Sequence, residues 1–408
     1  MIRRLLPLIL ILSAAAAAAP GERANGAEAA LFRTLQAIEQ NRRGAALDEV
    51  ERLIAERPNF RLAHLIRGDL LLARVRPINA LGNTGHGARE RLEELRTEAS
   101  LRLHALREPP AANLVPRSLI QLAPGQKHAV MVDAGRSRVY VLENAPAGVR
   151  VVADYYATLG RQGIEKIREG DQKTPIGVYF ITSAIPGAKL PDLYGWGAFP
   201  INYPNEWDRL AGRTGYGIWL HGVPSDTYAR APRVSDGCVA LANPDIEALG
   251  ARVHPGATPV VIAERIEWVS PPQVSTERDA FRRQFEAWRT DWESRDADRY
   301  LAHYASGFRS GAMDLDAWAA HKRKVNAAKK WIKVAAAELS VFRHPGREEL
   351  MVVGFDQEYR SDSFSQRTRK RQYWVREAGR WKIVYEGPVR GGATALPESY
   401  ARASQARR

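Results

Sequence analysis

Trp219-Leu220-His221-Gly222 and, after a short gap, Val234-Ser235-Asp236-Gly237-Cys238-Val239 are the stretches on which the reading of this chain turns. Gly217-Ile218-Trp219-Leu220-His221 has the apolar run of a strand. Side chains alternate across a strand, so Trp219 and His221 fall on one face and Ile218 and Leu220 on the other. The imidazole is then presented at a strand end. Gly237 permits a sharp turn and close backbone approach just before Cys238, and an N–H beside a nucleophile can help stabilise an oxyanion. A thiol with an ordinary pKa of about 8.5 is mostly protonated at neutral pH, and a neighbouring imidazole can activate it. That imidazole needs a third group on its other nitrogen to orient it. Spacing alone does not join His221 to Cys238.

Outward from these stretches the hydrophobic period is two. Ala129–Asp133 and Arg138–Leu142 read as strands joined by a turn at Ala134-Gly135-Arg136-Ser137. Val149–Ala153, Gly177–Ile181 and Thr258–Ile262 continue the pattern, giving a mostly-β domain over 127–267. Upstream the period is helical. Leu31, Leu35 and Ile38 share a face, as do Leu47, Val50 and Ile54, and then Leu62, Leu65, Ile66 and Leu70. These define a helical domain over 27–108, with a loop at Gly82, Gly85 and Gly87. Pro109, Pro110, Pro116 and Pro124-Gly125 mark a linker over 109–126. Downstream, Phe281, Phe285, Trp288 and Trp292 stand at helical spacing. Strand-like runs follow at 349–355, 372–375 and 381–385, an α+β unit over 276–388. Residues 389–408 form a basic tail.

The chain of 408 residues is long enough for two or three domains. Its net charge of +14 favours anionic surroundings. One cysteine excludes an internal disulfide and any cluster of cysteine ligands. Arg3 and Arg4, the apolar run Leu5–Leu12 and the alanines 14–19 read as a secretory signal over 1–19. The chain is therefore expected to be exported to the periplasm or cell envelope. Export makes an anionic wall polymer a better partner than nucleic acid, and no nucleic-acid partner is expected. The basic run Arg367, Arg369, Lys370 and Arg371 fits that expectation.

The segment 127–263 resembles the L,D-transpeptidase (YkuD-like) catalytic domain, whose signature is H-G, a gap, then S-x-G-C. Gly170-Asp171-Gln172-Lys173-Thr174-Pro175-Ile176-Gly177-Val178-Tyr179 and the stretch Tyr194–Asn205 resemble further family segments. The resemblance implies Cys238 as nucleophile, His221 as general base and acid, and Gly222 orienting the imidazole through its carbonyl. Ser235 and Gly237 would shape the nucleophile loop and oxyanion hole. Tyr203, Arg213, Arg230 and Arg233 are candidates for binding substrate. Asp236 stands where many members have His, a feature commoner in hydrolytic branches. The implied reaction is thioester acyl transfer on peptidoglycan stem peptides without metal or cofactor, and Cys238 is expected to have a depressed thiolate pKa. The alternatives are an L,D-carboxypeptidase, a hydrolase releasing wall-linked lipoprotein, and a non-catalytic wall-binding scaffold. Residues 45–72 resemble a single tetratricopeptide-type helical pair. The C-terminal unit resembles SnoaL-like (nuclear-transport-factor-like) cone domains. Such domains enclose a pocket, here for a glycan or muropeptide, or serve as packing and dimerising modules. The expected architecture is thus an N-terminal helical domain, a central mostly-β L,D-transpeptidase-like domain and a C-terminal α+β cone-like domain.

Overall fold

The computed structural model describes residues 26–82 and 89–389. The expected signal at 1–19, the glycines Gly85 and Gly87, and the basic tail from residue 390 lie outside the described residues.

The N-terminal part is helical: α1 (Gly26–Glu39), α2 (Arg43–Glu56), α3 (Arg61–Leu72) and α4 (Arg89–Arg107). Leu31, Leu47, Val50, Leu53, Leu62 and Ile66 meet in one core. Tyr228 and Ala242 of the central domain join that core. A lone helical pair cannot bury both its faces, and here the neighbouring domain covers one of them.

Within the stretch expected as a linker, β1 (Val115–Pro116) and β2 (Leu119–Gln121) are strands, and each pairs with a strand from beyond the central domain. The central sheet then takes β3 (His128–Asp133), β4 (Arg138–Ala145), β5 (Gly148–Gly160), β6 (Gly177–Phe180), β7 (Ile185–Pro186) and β8 (Gly197–Pro200). A short helix α5 (Glu206–Leu210) precedes β9 (Trp219–His221), β10 (Arg233–Ser235) and β11 (Val239–Leu241). Helix α6 (Asn243–Gly250) and β12 (Pro259–Ala263) complete it. The order across this ten-stranded mixed sheet is β6-β12-β3-β4-β5-β11-β9-β8-β7, with β10 also on β5. Alternation sorts its two faces. Val130, Val132, Val139 and Val141 pack with Ile246 and Leu249 of α6. Ala129, Met131, Tyr140 and Leu142 turn the other way and share a core with Phe342, Leu350, Val352 and Tyr373 of the C-terminal unit.

A buried ionic lock joins the helices to this sheet. Glu28 of α1 receives Arg102 of α4 and Arg138 of β4, the latter at 2.7 Å. Arg138 also reaches Asp154 at 2.7 Å, and Arg102 reaches Glu98 at 2.9 Å. The Arg102 guanidinium lies 3.8 Å from the Tyr156 ring centroid. Buried charges persist only when paired in this way.

The C-terminal unit runs β13 (Trp268–Val269), α7 (Pro271–Ser294), α8 (Ala297–Leu301), β14 (Tyr304–Arg309), α9 (Leu315–Ala327), β15 (Ile332–Arg343), β16 (Leu350–Ser361), β17 (Ser365–Glu377) and β18 (Arg380–Pro388). Its sheet order is β14-β18-β17-β16-β15-β2, so the segment ahead of the central domain supplies the last strand. Ser270 and Gln273 form a capping box at the start of α7. Phe281, Phe285, Trp288 and Trp292 then line up in the core, as their spacing predicts. The amine of Lys322 sits inside it, 4.4 Å from the ring centroids of both Trp292 and Trp318. The basic run on β17 is largely matched within the chain. Arg367 pairs with Glu358 at 3.3 Å, Arg369 with Asp356 at 2.7 Å and Lys370 with Glu386 at 3.4 Å. Arg371 stacks 3.9 Å above Phe180 of the central sheet.

Candidate active site

Strands β9 and β11 are parallel neighbours, with Leu220 opposite Val239 and His221 opposite Ala240. One step back along β11 puts Cys238 level with Trp219. Residues in register on neighbouring strands point the same way, and i and i+2 share a face. Cys238 and His221 therefore project from one face of adjacent strands, about 5 Å apart across the ladder and two residues apart along it. The packing agrees: Leu220 and Val239 enter the core behind the sheet, whereas Cys238 packs with Trp219, Tyr194 and Ala198 in front.

His221 is buried, and its Nδ1 lies 2.6 Å from the Gly222 carbonyl oxygen. That carbonyl can only accept, so Nδ1 carries the proton and Nε2 is left as the base. The Tyr194 ring meets the imidazole edge-on at 5.1 Å. Burial pushes the His221 pKa down to about 4, and the charge of Arg230 acts in the same direction. The Cys238 Sγ donates to the Gly217 carbonyl at 3.3 Å. Burial pushes its thiol up to about 11, which a contact with the Trp219 backbone only partly offsets. The expected depressed thiolate is thus not present at rest: both partners are neutral at pH 7. The sequence alone could not show how far Tyr194 and Trp219 cover the sulfur.

The loop before Cys238 is tightly held. Ser235 Oγ donates to the Cys238 carbonyl at 2.7 Å and accepts the Gly237 N–H at 3.1 Å. Gly237 has φ +122°, and a Cβ there would lie 2.6 Å from the Lys173 carbonyl oxygen. Lys173 belongs to the Gly170–Tyr179 stretch, so this is where that motif meets the site. Its Asp171 accepts the backbone N–H groups of Ile167, Arg168 and Lys173 and pairs with Lys166 at 2.7 Å. Against the pull of burial, these donors hold its carboxyl at about 2. The Gly237 N–H is taken by Ser235 Oγ, so at rest this glycine shapes the nucleophile loop.

Of the other candidates, Arg230 is the one whose charge reaches both His221 and Cys238. Its Nη2 donates to the Val234 carbonyl at 3.3 Å, and its own carbonyl accepts from Tyr156 and Thr158 at 3.1 Å. Arg233 turns behind the sheet onto the Ala134 carbonyl at 2.6 Å. Arg213 pairs with buried Asp208 at 3.1 Å. Tyr203 is buried beside Tyr179 and donates to the Thr214 carbonyl at 3.0 Å. These three groups are engaged in holding the scaffold.

Sequence reasoning missed Asn243. Its Oδ1 accepts the N–H groups of Trp196 at 2.9 Å and Val223 at 3.1 Å, and its Nδ2 donates to the Val223 carbonyl at 2.9 Å. It thereby ties the Tyr194–Trp196 turn to the residues just after His221. A Cβ on Gly222 would lie 2.2 Å from Asn243 Oδ1, so glycine is needed there for packing as well as for its carbonyl. The one local signal was an Asn before Pro244 at a helix start.

Residues 127–262 match the family model described as the L,D-transpeptidase catalytic domain, YkuD. Residues 280–387 match that of the Cds6 C-terminal NTF2-like domain. The chain thus carries an L,D-transpeptidase catalytic domain joined to an NTF2-like α+β domain. Among solved structures, Bd1075 of Bdellovibrio bacteriovorus is similar at 29% identity and a TM-score of 0.60, over 68% of this chain and 99% of that one. The helical cell shape determining protein Pgp2 of Campylobacter jejuni is similar at 25% identity and a TM-score of 0.54, over 66% of this chain and 95% of that one. No curated protein matches the chain.

Proposed function

We propose that the protein is an exported cysteine L,D-transpeptidase acting on peptidoglycan stem peptides by thioester acyl transfer. The observation that carries this reading is the shared face of Cys238 and His221, with Nδ1 of the imidazole committed to the Gly222 carbonyl. As Sγ attacks the scissile carbonyl carbon, Nε2 takes the thiol proton. The S–C bond forms and the carbonyl oxygen becomes an oxyanion. With the Gly237 amide engaged by Ser235, the amide of Cys238 itself is the loop donor assigned to that oxyanion. Collapse breaks the C–N bond, and the leaving amine takes the proton from Nε2. An incoming amine then gives Nε2 its proton, attacks the thioester and releases the thiol. Export is supported by the signal-like residues 1–19.

A second reading ends the same sequence with water instead of an amine, which makes the protein an L,D-carboxypeptidase. It is favoured by similarity over two thirds of the chain to a cell-shape determinant and by Asp236 in the nucleophile loop. Both readings are tested by mass spectrometry of a muropeptide tetrapeptide incubated with the protein and with Cys238→Ala. A cross-linked dimer or an exchanged terminal residue that requires Cys238 supports transfer. A tripeptide alone supports hydrolysis. No Cys238-dependent product of any kind rules out both and leaves release of wall-linked lipoprotein or the scaffold reading.

A further inference from the structure

Between His221 and β10 the chain leaves the sheet and leans on the N-terminal helices. Asn59 Nδ2 donates to the Ser225 carbonyl at 3.3 Å, the Tyr228 N–H donates to the Asn59 carbonyl at 3.4 Å, and the Phe60 and Tyr228 rings meet at a tilt with centroids 4.5 Å apart. Between this segment and helices α3 and α4 lies a cavity of about 510 Å³. Its apolar lining includes Phe60, Leu62 and Leu95 from the helices and Pro224, Ala229 and Ala231 from the segment.

The charges around the cavity are unequal. Arg61, Arg91 and Arg230 line it, against Glu94 and Glu98. Glu98 is engaged by Arg102 at 2.9 Å, a guanidinium it shares with Glu28. Among the described residues Arg61, Arg91 and Arg230 make no ion pair with a carboxylate. The acid nearest to Arg230 in the chain's field, Asp236, is itself paired with Arg161 at 3.2 Å. Arg230 is half-buried, and a guanidinium withdrawn from water without a counter-charge is costly. It also marks the catalytic end of the cavity: its Nη2 donates to the carbonyl of Val234, next to the Ser235 that closes the Cys238 turn.

We infer that this cavity takes a carboxylate-bearing part of the wall peptide, with Arg230 at the inner end and Arg61 and Arg91 at the rim. The N-terminal helices then form one wall of the substrate site. Their ionic lock to the sheet fixes that wall: Arg102 stacks on Tyr156, and Tyr156 donates to the Arg230 carbonyl. The inference rests on the acyl-transfer reading for the identity of the ligand.

The test is calorimetric binding to Cys238→Ala, which cannot turn over. The probes are two synthetic stem tetrapeptides, one with free side carboxylates and one with those groups amidated. The same titrations are run with Arg61→Gln and Arg91→Gln added. The free-carboxylate peptide is expected to bind more tightly than the amidated one. The added substitutions are expected to weaken it about fivefold, the scale of two solvent-exposed charge contacts, and to leave the amidated peptide unchanged. Equal affinity for the two peptides, an equal effect on both, or no binding of either overturns the cavity assignment. Turnover by the unsubstituted protein is followed in parallel. Turnover with no carboxylate preference in binding sinks the cavity and keeps the chemistry. Carboxylate-dependent binding with no turnover sinks the chemistry and keeps the cavity.

Discussion

Ser235 Oγ donates to the carbonyl of Cys238 at 2.7 Å while it accepts the amide of Gly237, so one hydroxyl closes the turn that carries the thiol. Ser235→Ala removes both contacts from a buried site. A loss of about 1–3 kcal/mol in stability is expected. Turnover is expected to fall more than KM rises, because the thiol's position is what loosens. Denaturant unfolding and steady-state kinetics on stem peptide read the two effects, and unchanged turnover would show that the turn holds without Ser235.

The resting pair is neutral, and this sets the pH behaviour. His221 is a base only when deprotonated, so activity is expected to fall as pH drops through about 4. Labelling of Cys238 by iodoacetamide without substrate is expected to rise steeply only towards pH 11. A labelling rate already flat between pH 6 and 8 would indicate a preformed thiolate–imidazolium pair and refute this description.

Asn243 fastens the turn at Tyr194–Trp196 to the residues after His221. In Asn243→Ala, the amides of Trp196 and Val223 and the Val223 carbonyl lose a partner. A destabilisation of about 2 kcal/mol is expected, together with a drop in turnover from a less well-held imidazole. Two-dimensional NMR of the labelled histidines would show the change at His221, and an unmoved His221 signal would remove Asn243 from the supporting set.

Arg138 lies fully buried between Glu28 and Asp154. Arg138→Met leaves buried Glu28 and half-buried Asp154 short of a partner, a change expected to cost about 3 kcal/mol. The helices and the sheet are expected to lose their joint unfolding, so a single transition in calorimetry would split in two. A single transition at unchanged temperature would show that the lock is dispensable.

Acid stability has a specific source in His344. It is buried, accepts the Gly346 N–H at 3.1 Å, and has its pKa pushed down to about 3 by burial, with Arg213 and Arg347 adding to the shift. The unfolded imidazole titrates near 6.5, so the unfolded chain takes the proton first as pH falls. Stability is therefore full above about 6.5 and declines progressively towards pH 3. His344→Asn keeps an acceptor and removes the titration. It is expected to shrink the stability difference between pH 7 and pH 4 by on the order of 2–3 kcal/mol. An unchanged difference would assign acid sensitivity to other groups.

Local pattern carried much of the fold. The hairpin of β3 and β4 was legible because Ala134–Ser137 breaks two alternating runs, and Ser137 takes the positive φ such a turn needs. Helix α7 was legible from four aromatics on one stripe. Strand β15 was not, because Ala335-Ala336-Ala337 carries no strand signal of its own and is extended only by pairing with β16. The cysteine, the histidine and their glycines were legible because their chemistry demands particular residues in a fixed order. Which arginine approaches them was not. Arg213 and Arg233 are taken up by Asp208 and the Ala134 carbonyl, partners that only the folded chain brings near.

Strand β2 lies ahead of the catalytic domain in the chain, yet it borders the C-terminal sheet by pairing Gln121 with Val341. Chain order and spatial order are therefore interleaved. A gene fragment ending at residue 267 would carry away an edge strand it cannot use, and one starting at 276 would express a sheet with β15 laid bare to other chains. The unit that can be grafted intact spans 26–388, because Glu28 of the helices is also the buried partner of Arg138 in the sheet.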